Sequence, residues 1–133
     1  MNLTPRESEV HNLLLQGKGD REIARKLYVS LDTASTHINR VLKKTNNKTR
    51  VALIVKEYLS NFDISNLSGF DDRDKQIINA IATTGEGSPK IAKKLGLHPS
   101  TVRNRLNKIY MKTNTNNRQD LMLWLKDKVA SSE

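Results

Sequence analysis

The chain has 133 residues, no cysteine, and 23 Lys and Arg against 14 Asp and Glu, a formal net charge of +9, which excludes a disulfide scaffold and an acidic partner domain. No apolar run approaches the ~18 residues of a membrane helix and no charged-then-apolar leader opens the chain, so a cytoplasmic protein without membrane contact is expected. The basic excess is even, 11 against 7 in residues 1–66 and 12 against 7 beyond, as suits a polyanion binder that gains affinity by releasing counterions from phosphates.

Thr4-Pro5-Arg6-Glu7 joins an N-cap hydroxyl, a proline at the first helical position and a glutamate that can bond back to the cap, which predicts a helix from Pro5. Val10, Leu13 and Leu14 follow at helical spacing, Gly17 and Gly19 end that element, and Asp20 is expected to cap a short helix carrying Ile23, Ala24 and Leu27. Ser30 is the predicted N-cap of a third helix, whose Ala34, Ile38, Val41 and Leu42 draw one apolar stripe. The outward set is then Asp32, Ser35, Thr36, Asn39, Arg40 and Lys43, hydrogen-bonding toward the N-terminal end and basic toward the other. A fourth helix is expected near Val51, Leu53, Ile54, Tyr58 and Leu59.

Residues 61–69, Asn-Phe-Asp-Ile-Ser-Asn-Leu-Ser-Gly, read as a short linker. Its Phe62, Ile64 and Leu67 would be wasted in a free tether, so it is expected to pack partly against the domains and hold the two halves at a preferred angle. Beyond it the grammar repeats. Ser88 and Pro89 read as a cap and first helical residue, and Pro99 opens a helix with Val102, Leu106, Ile109 and Tyr110 inward and Ser100, Arg103, Asn104, Asn107 and Lys108 outward. The last helix carries Leu121, Met122, Trp124 and Leu125. No alternating apolar run bounded by turns occurs, so no strand is expected.

The repetition extends to identities. Ile23/Ile91, Ala24/Ala92, Lys26/Lys94, Leu27/Leu95, Thr33/Thr101, Asn39/Asn107, Lys44/Lys112, Thr45/Thr113, Asn46/Asn114 and Arg50/Arg118 superpose at one offset of 68 residues without a gap. Upstream, Arg6/Arg73 and Asn12/Asn79 match at 67, which puts one inserted residue near the turn Thr83-Thr84-Gly85-Glu86-Gly87, where insertion is cheap. The expected organisation is all-α: a first helix-turn-helix domain in residues 1–61, a linker in 62–69 and a second, diverged domain in 70–133. Each domain is large enough for only a modest core.

Leu3-Thr4-Pro5-Arg6-Glu7-Ser8-Glu9-Val10, Glu22-Ile23-Ala24-Arg25-Lys26-Leu27-Tyr28-Val29-Ser30 and Thr33-Ala34-Ser35-Thr36-His37-Ile38 closely resemble the DNA-binding domain of LuxR/GerE-type transcription regulators. The second copy is similar but diverged. Phe70-Asp71-Asp72-Arg73-Asp74 stands where the family has Leu-Thr-Pro-Arg-Glu, and Arg105 replaces the histidine. Both copies also replace the family's Leu-Gly-Val after the third helix, with Thr45-Asn46-Asn47 and Thr113-Asn114-Thr115.

The resemblance implies four-helix helix-turn-helix units whose third helix enters the major groove. The exposed family positions correspond to Ser35, Thr36 and Asn39, and to Arg103, Asn104 and Asn107, which are the base-reading candidates. Thr33, Arg40, Lys43, Lys44, Lys48 and Arg50, with Thr101, Lys108, Lys112 and Arg118, lie near helix ends and turns and are the phosphate candidates. Family members normally carry an N-terminal receiver or ligand-binding domain and dimerise partly through the fourth helix. This chain begins almost directly at the first motif, so a regulator without a sensor domain, of bacterial or phage origin, is expected.

The duplication offers an intramolecular pseudo-dimer on double-stranded DNA, with homodimerisation through the Tyr58 or Trp124 helices as the other arrangement and RNA polymerase or another transcription protein as a further partner. No cofactor, metal or catalytic activity is expected, since His11, His37 and His98 are scattered and no glycine-rich phosphate loop follows a strand. The rival reading is a helix-turn-helix module turned toward a partner transcription protein. That module would show apolar anchors on the outward face, where only Leu31 and Met111 are suspect.

Overall fold

The computed structural model describes residues 2–131, without the side chains of residues 66 and 129–131. The outer limits of the two expected domains, residues 1 and 132–133, lie outside them. The described chain is helical without strands: α1 (Pro5–Leu15), α2 (Asp20–Leu27), α3 (Leu31–Lys44), α4 (Arg50–Tyr58), a 3-10 turn (Ile64–Asn66), α5 (Asp72–Thr84), α6 (Ser88–Leu95), α7 (Pro99–Thr113) and α8 (Arg118–Ser131).

The helix starts follow their caps. Thr4 and Glu7 form the full capping box, the Thr4 N–H donating to Glu7 Oε1 at 2.9 Å and the Glu7 N–H to Thr4 Oγ1 at 3.2 Å. Ser30 and Thr49 accept from Thr33 and Ala52 at the starts of α3 and α4. Two expected caps differ. Gly19, not Asp20, is the N-cap of α2, and Gly87, not Ser88, that of α6; neither bonds through a side chain. Asp20 is left free to reach another helix.

The lost Leu-Gly-Val turn has a physical substitute. Asn46 (φ 59°) and Asn114 (φ 56°) hold the left-handed conformation at the ends of α3 and α7, which asparagine tolerates better than most residues. The buried Thr45 and Thr113 turn their hydroxyls back onto the carbonyls of Val41 (2.7 Å) and Ile109 (2.9 Å). No orphaned hydroxyl is therefore buried beneath either turn.

Two apolar cores form, and α4 belongs to both. Val10, Leu14, Ile23, Leu27, Ala34, Ile38, Val41 and Leu53 make the first. Val51, Ile54 and Val55 of the same α4, with Leu59 just past its end, instead join Ile77, Ile81, Ile91, Val102, Leu106, Ile109, Leu121 and Leu125 of the second copy. With apolar residues on nearly every side, α4 can be buried from two directions. The linker completes this joint: Leu67 is buried, and Phe62 and Ile64 pack against the larger core.

The fourth helices of the two copies, α4 and α8, pack on each other. A Cβ at Gly85, after α5, would meet the Ala52 backbone of α4 at 2.8 Å, and one at Gly17, after α1, would meet Leu123 Cδ1 of α8 at 2.8 Å. Gly17/Gly85 and Ala52/Asp120 are equivalent pairs at the 68-residue offset, and Asp120 Oδ1 is the second neighbour of the Gly17 position at 3.7 Å. Each copy thus sets the same turn against the other copy's fourth helix, the reciprocal contact of a two-fold interface. Tyr58 lies under Lys126 Nζ, 4.2 Å from the ring centroid, and Trp124 stands edge-on to Phe70 at 6.1 Å. The aromatic side chains considered for homodimerisation are thus engaged inside the chain.

Candidate nucleic-acid interface

Ala34, Ile38 and Val41 are buried along one side of α3, which leaves Asp32, Thr36, Asn39, Arg40 and Lys43 exposed on the other. Val102, Leu106 and Ile109 do the same for α7, exposing Arg103, Asn104, Asn107, Lys108 and Met111. Five of the six base-reading candidates therefore lie in the open. Ser35 is the exception and is half-buried, because its position turns toward the flank of the apolar stripe. Ser100 and Tyr110, expected outward and inward respectively, are both half-buried, and Ser100 Oγ is 2.8 Å from His98 Nδ1.

The phosphate candidates divide. Arg40, Lys43, Lys48 and Lys108 are exposed and have no partner among the described residues. Thr33 is exposed and accepts from Ser30 Oγ at 2.9 Å, while Thr101 is half-buried. The other four hold the fold together. Lys44 Nζ bonds Glu7 Oε1 at 2.7 Å and Asn2 O at 3.2 Å, and its equivalent Lys112 donates to Gly69 O and sits over the Phe70 ring. Arg50 pairs with Asp20, and its equivalent Arg118 donates to Glu86 O at 2.7 Å.

Lys44 and Lys112 fasten the end of the third helix to the start of its own domain, and Arg50 and Arg118 fasten the start of the fourth helix to the turn or helix start that follows the first. Sequence analysis missed their acceptors, of which only Glu7 and Asp20 are acids visible in the sequence; the carbonyls of Gly69 and Glu86 leave no signal there. In the second copy Arg105, standing where the first has His37, reaches Asp74 Oδ1 at 3.0 Å and Asp71 Oδ2 at 3.4 Å. Arginine at that position thus takes over the acid that Lys44 holds in the first copy.

The charges respond accordingly. Lys44 first, then the Thr4 N–H, hold the Glu7 carboxyl below its ordinary value. The Asp74 N–H, aided by Arg105, lowers Asp71, and Asp74 in turn raises Arg105. Burial pushes the Arg50 guanidinium down.

The N-terminal ends of α4 and α8 converge beside α3 on a cleft of about 380 Å3 lined by Asn39, Thr49, Arg50, Asn117 and Arg118 among others. Thr49/Asn117 and Arg50/Arg118 are equivalent pairs, so the cleft lies where the two copies face each other. A polar, basic surface with two helices displaying amides, hydroxyls and guanidinium groups can bond base edges and neutralise phosphates. No group of three or more His, Cys, Asp or Glu among the described residues is placed to hold a metal, and no helix among them is long and apolar enough to cross a membrane.

Similarity to known proteins follows the duplication. Residues 1–56 and again residues 68–125 match the profile of the bacterial regulatory proteins of the luxR family. The chain is 41% identical over 54 residues to spore germination protein GerE of Bacillus subtilis, covering 41% of this chain and 73% of that protein. It is 40% identical over 53 residues to the nitrate/nitrite response regulator protein NarL of Escherichia coli (40% of this chain, 24% of that protein). To the probable transcriptional regulator ycf29 of Porphyra purpurea it is 39% identical over 59 residues, 44% of this chain and 28% of that protein. The aligned region thus spans about a quarter of the length of the last two relatives. No solved structure gives a significant match. Two family matches in one all-helical chain, each carrying a third helix with a polar outer face, make it a member of the luxR family of DNA-binding bacterial transcription regulators.

Proposed function

We propose that the chain is a sequence-specific double-stranded DNA-binding regulator whose two heads, residues 1–61 and 70–133 about the linker 62–69, act as an intramolecular pseudo-dimer. The observation that carries this is the reciprocal packing of Gly17 against α8 and Gly85 against α4. In this reading α3 and α7 enter successive major grooves about one DNA turn apart, and the central cleft faces the DNA between them. Thr36 and Asn39 read one half-site, with Ser35 at its edge; Arg103, Asn104 and Asn107 read the other. Arg40, Lys43, Lys48 and Lys108 hold phosphates, while Lys44, Arg50, Lys112 and Arg118 keep the reading helices in place.

Because the exposed residues of α3 and α7 differ, the preferred site is asymmetric. Covalent connection keeps the second head near the DNA at mM-range effective concentration, which makes a homodimer through the Tyr58 or Trp124 helices unnecessary. The protein acts in the cytoplasm of a bacterium or of a phage-infected cell, where bound DNA brings it near RNA polymerase.

One observation favours the second reading, a module that docks on a transcription protein: Tyr28 is 94%, Met111 82% and Leu31 45% exposed. Selection from a random duplex library at two salt concentrations tests both, with Thr36/Asn39 and Arg103/Asn104 alanine variants alongside. Two unlike half-motifs, each erased by one pair of substitutions, are expected. A palindrome sensitive to one pair overturns the pseudo-dimer, and absence of any enriched sequence overturns the DNA-reading role in favour of protein docking.

A further inference from the structure

Asp32 is an acid in a place that ought to be basic. It occupies the first turn of α3, exposed, in a column with Thr36, Asn39 and Lys43 at spacings of four, three and four residues, the spacing that puts side chains on one helical face. Its backbone carbonyl accepts the Thr36 hydroxyl at 3.0 Å, but its carboxylate has no partner among the described residues. The neighbouring cations, Arg40 and Lys43, stand two and three turns further along the helix. The N-terminal residues of a recognition helix are those that reach base edges.

A bare carboxylate on such a face repels the phosphates on both sides of the groove and weakens binding to every sequence. Among base edges in the major groove, only an exocyclic amino group offers it a donor. Cytosine N4 is the usual acidic-residue partner, whereas guanine presents two acceptors and thymine an acceptor and a methyl group. The amide of Asn39, one turn beyond Thr36, can take adenine for itself. We infer that Asp32 is a specificity-determining residue of the first head, selecting cytosine at one position of its half-site and penalising the bases that cannot donate to it.

The Thr36 hydroxyl proton is spent on the Asp32 carbonyl, so Thr36 presents its methyl group and acceptor lone pairs. The second head has no counterpart. Ser100 stands at the position equivalent to Asp32, half-buried and bonded to His98, so the cytosine requirement belongs to one half of the site.

The inference rests on the DNA-reading role proposed above. An acid in the first turn also favours the helix electrostatically, and a purely structural Asp32 would change stability without changing which base is preferred. The test is therefore selection and competition binding with wild type, Asp32→Ala and Asp32→Asn, with thermal unfolding as the control. Wild type should enrich a cytosine that Asp32→Ala flattens by about tenfold, with unchanged or tighter binding to unrelated DNA. Asp32→Asn, now a donor and acceptor, should move the preference toward adenine. Other positions, and the whole second half-site, should keep their preferences.

Identical motifs for all three proteins would overturn the inference and leave the DNA-reading role standing, as would a uniform loss across both half-sites. Failure of wild type to enrich any sequence would remove that role, and the inference with it.

Discussion

Gly85 lies so close to Ala52 that a Cβ on the glycine would sit 2.8 Å from the Ala52 Cα and 2.9 Å from its backbone nitrogen. The obstacle is α4 backbone, which can recede only by parting from α5 and α8. The pseudo-equivalent Gly17 is opposed by Leu123 Cδ1 instead, the end of a side chain that can change rotamer. Both glycines have positive φ, 71° and 81°, so alanine at either bears the left-handed penalty. Gly85→Ala should therefore cost about 2–4 kcal/mol and Gly17→Ala about 1–2 kcal/mol by urea unfolding. Equal losses would mean that the α4 contact yields as readily as the leucine.

Tyr28 ends α2 in the left-handed region at φ 56° while 94% exposed. Its counterpart in the second copy is Gly96, at φ 68°. The tyrosine bears the strain without packing in return. Replacing it with glycine relieves more strain than the added freedom of the unfolded chain takes back. Tyr28→Gly should stabilise the protein by about 0.5–1 kcal/mol, read as a rise in unfolding midpoint. A fall would mean that the ring is held against the protein.

These two sites separate what is legible in the sequence from what is not. Caps at Thr4 and Ser30, the apolar stripe of α3 and the 68-residue repeat are local or periodic properties, and each is readable from residue types alone. Gly17 and Gly85 are equally visible, but as sequence they say only that a helix ends. Their contact with α8 and α4 depends on how the copies meet. The same holds for α4: its many apolar residues announce burial, not burial in two cores. Lys44 and Arg50 illustrate the loss at the candidate site, since a lysine or arginine near a helix end has the same spacing whether it meets a phosphate or a carboxylate folded back from 37 or 30 residues away.

The Glu7–Lys44 pair gives the first domain a pH signature. Lys44 and the Thr4 N–H depress the Glu7 carboxyl below its ordinary 4.5. Protonation is thus harder in the folded than in the unfolded chain, so the stabilisation is complete above 4.5 and disappears as pH falls through the depressed folded value. Glu7→Gln keeps an acceptor for the Thr4 N–H but removes the titration. The variant should be less stable than wild type near neutrality, and the two stability curves should converge in acid. Parallel curves down to full acid unfolding would show that Glu7 contributes nothing through its charge.

Lys43 and Lys44 are adjacent in sequence and opposite in circumstance, and salt dependence should tell them apart. Lys43 is exposed and free on the reading side of α3, whereas Lys44 is committed to Glu7 and the Asn2 carbonyl. A lysine that neutralises one phosphate contributes about 0.9 to the slope of log affinity against log salt. Lys43→Ala and Lys108→Ala should each flatten the slope by about that amount at unchanged stability, and together by about 1.8 because they stand on different heads. Lys44→Ala should leave the slope alone and lower the unfolding midpoint, since it strips the buried Glu7 of its counter-ion. If Lys44→Ala flattened the slope as Lys43→Ala does, the lysine would have to leave Glu7 for a phosphate on binding, and the capping box would be part of a switch instead of a fixed anchor.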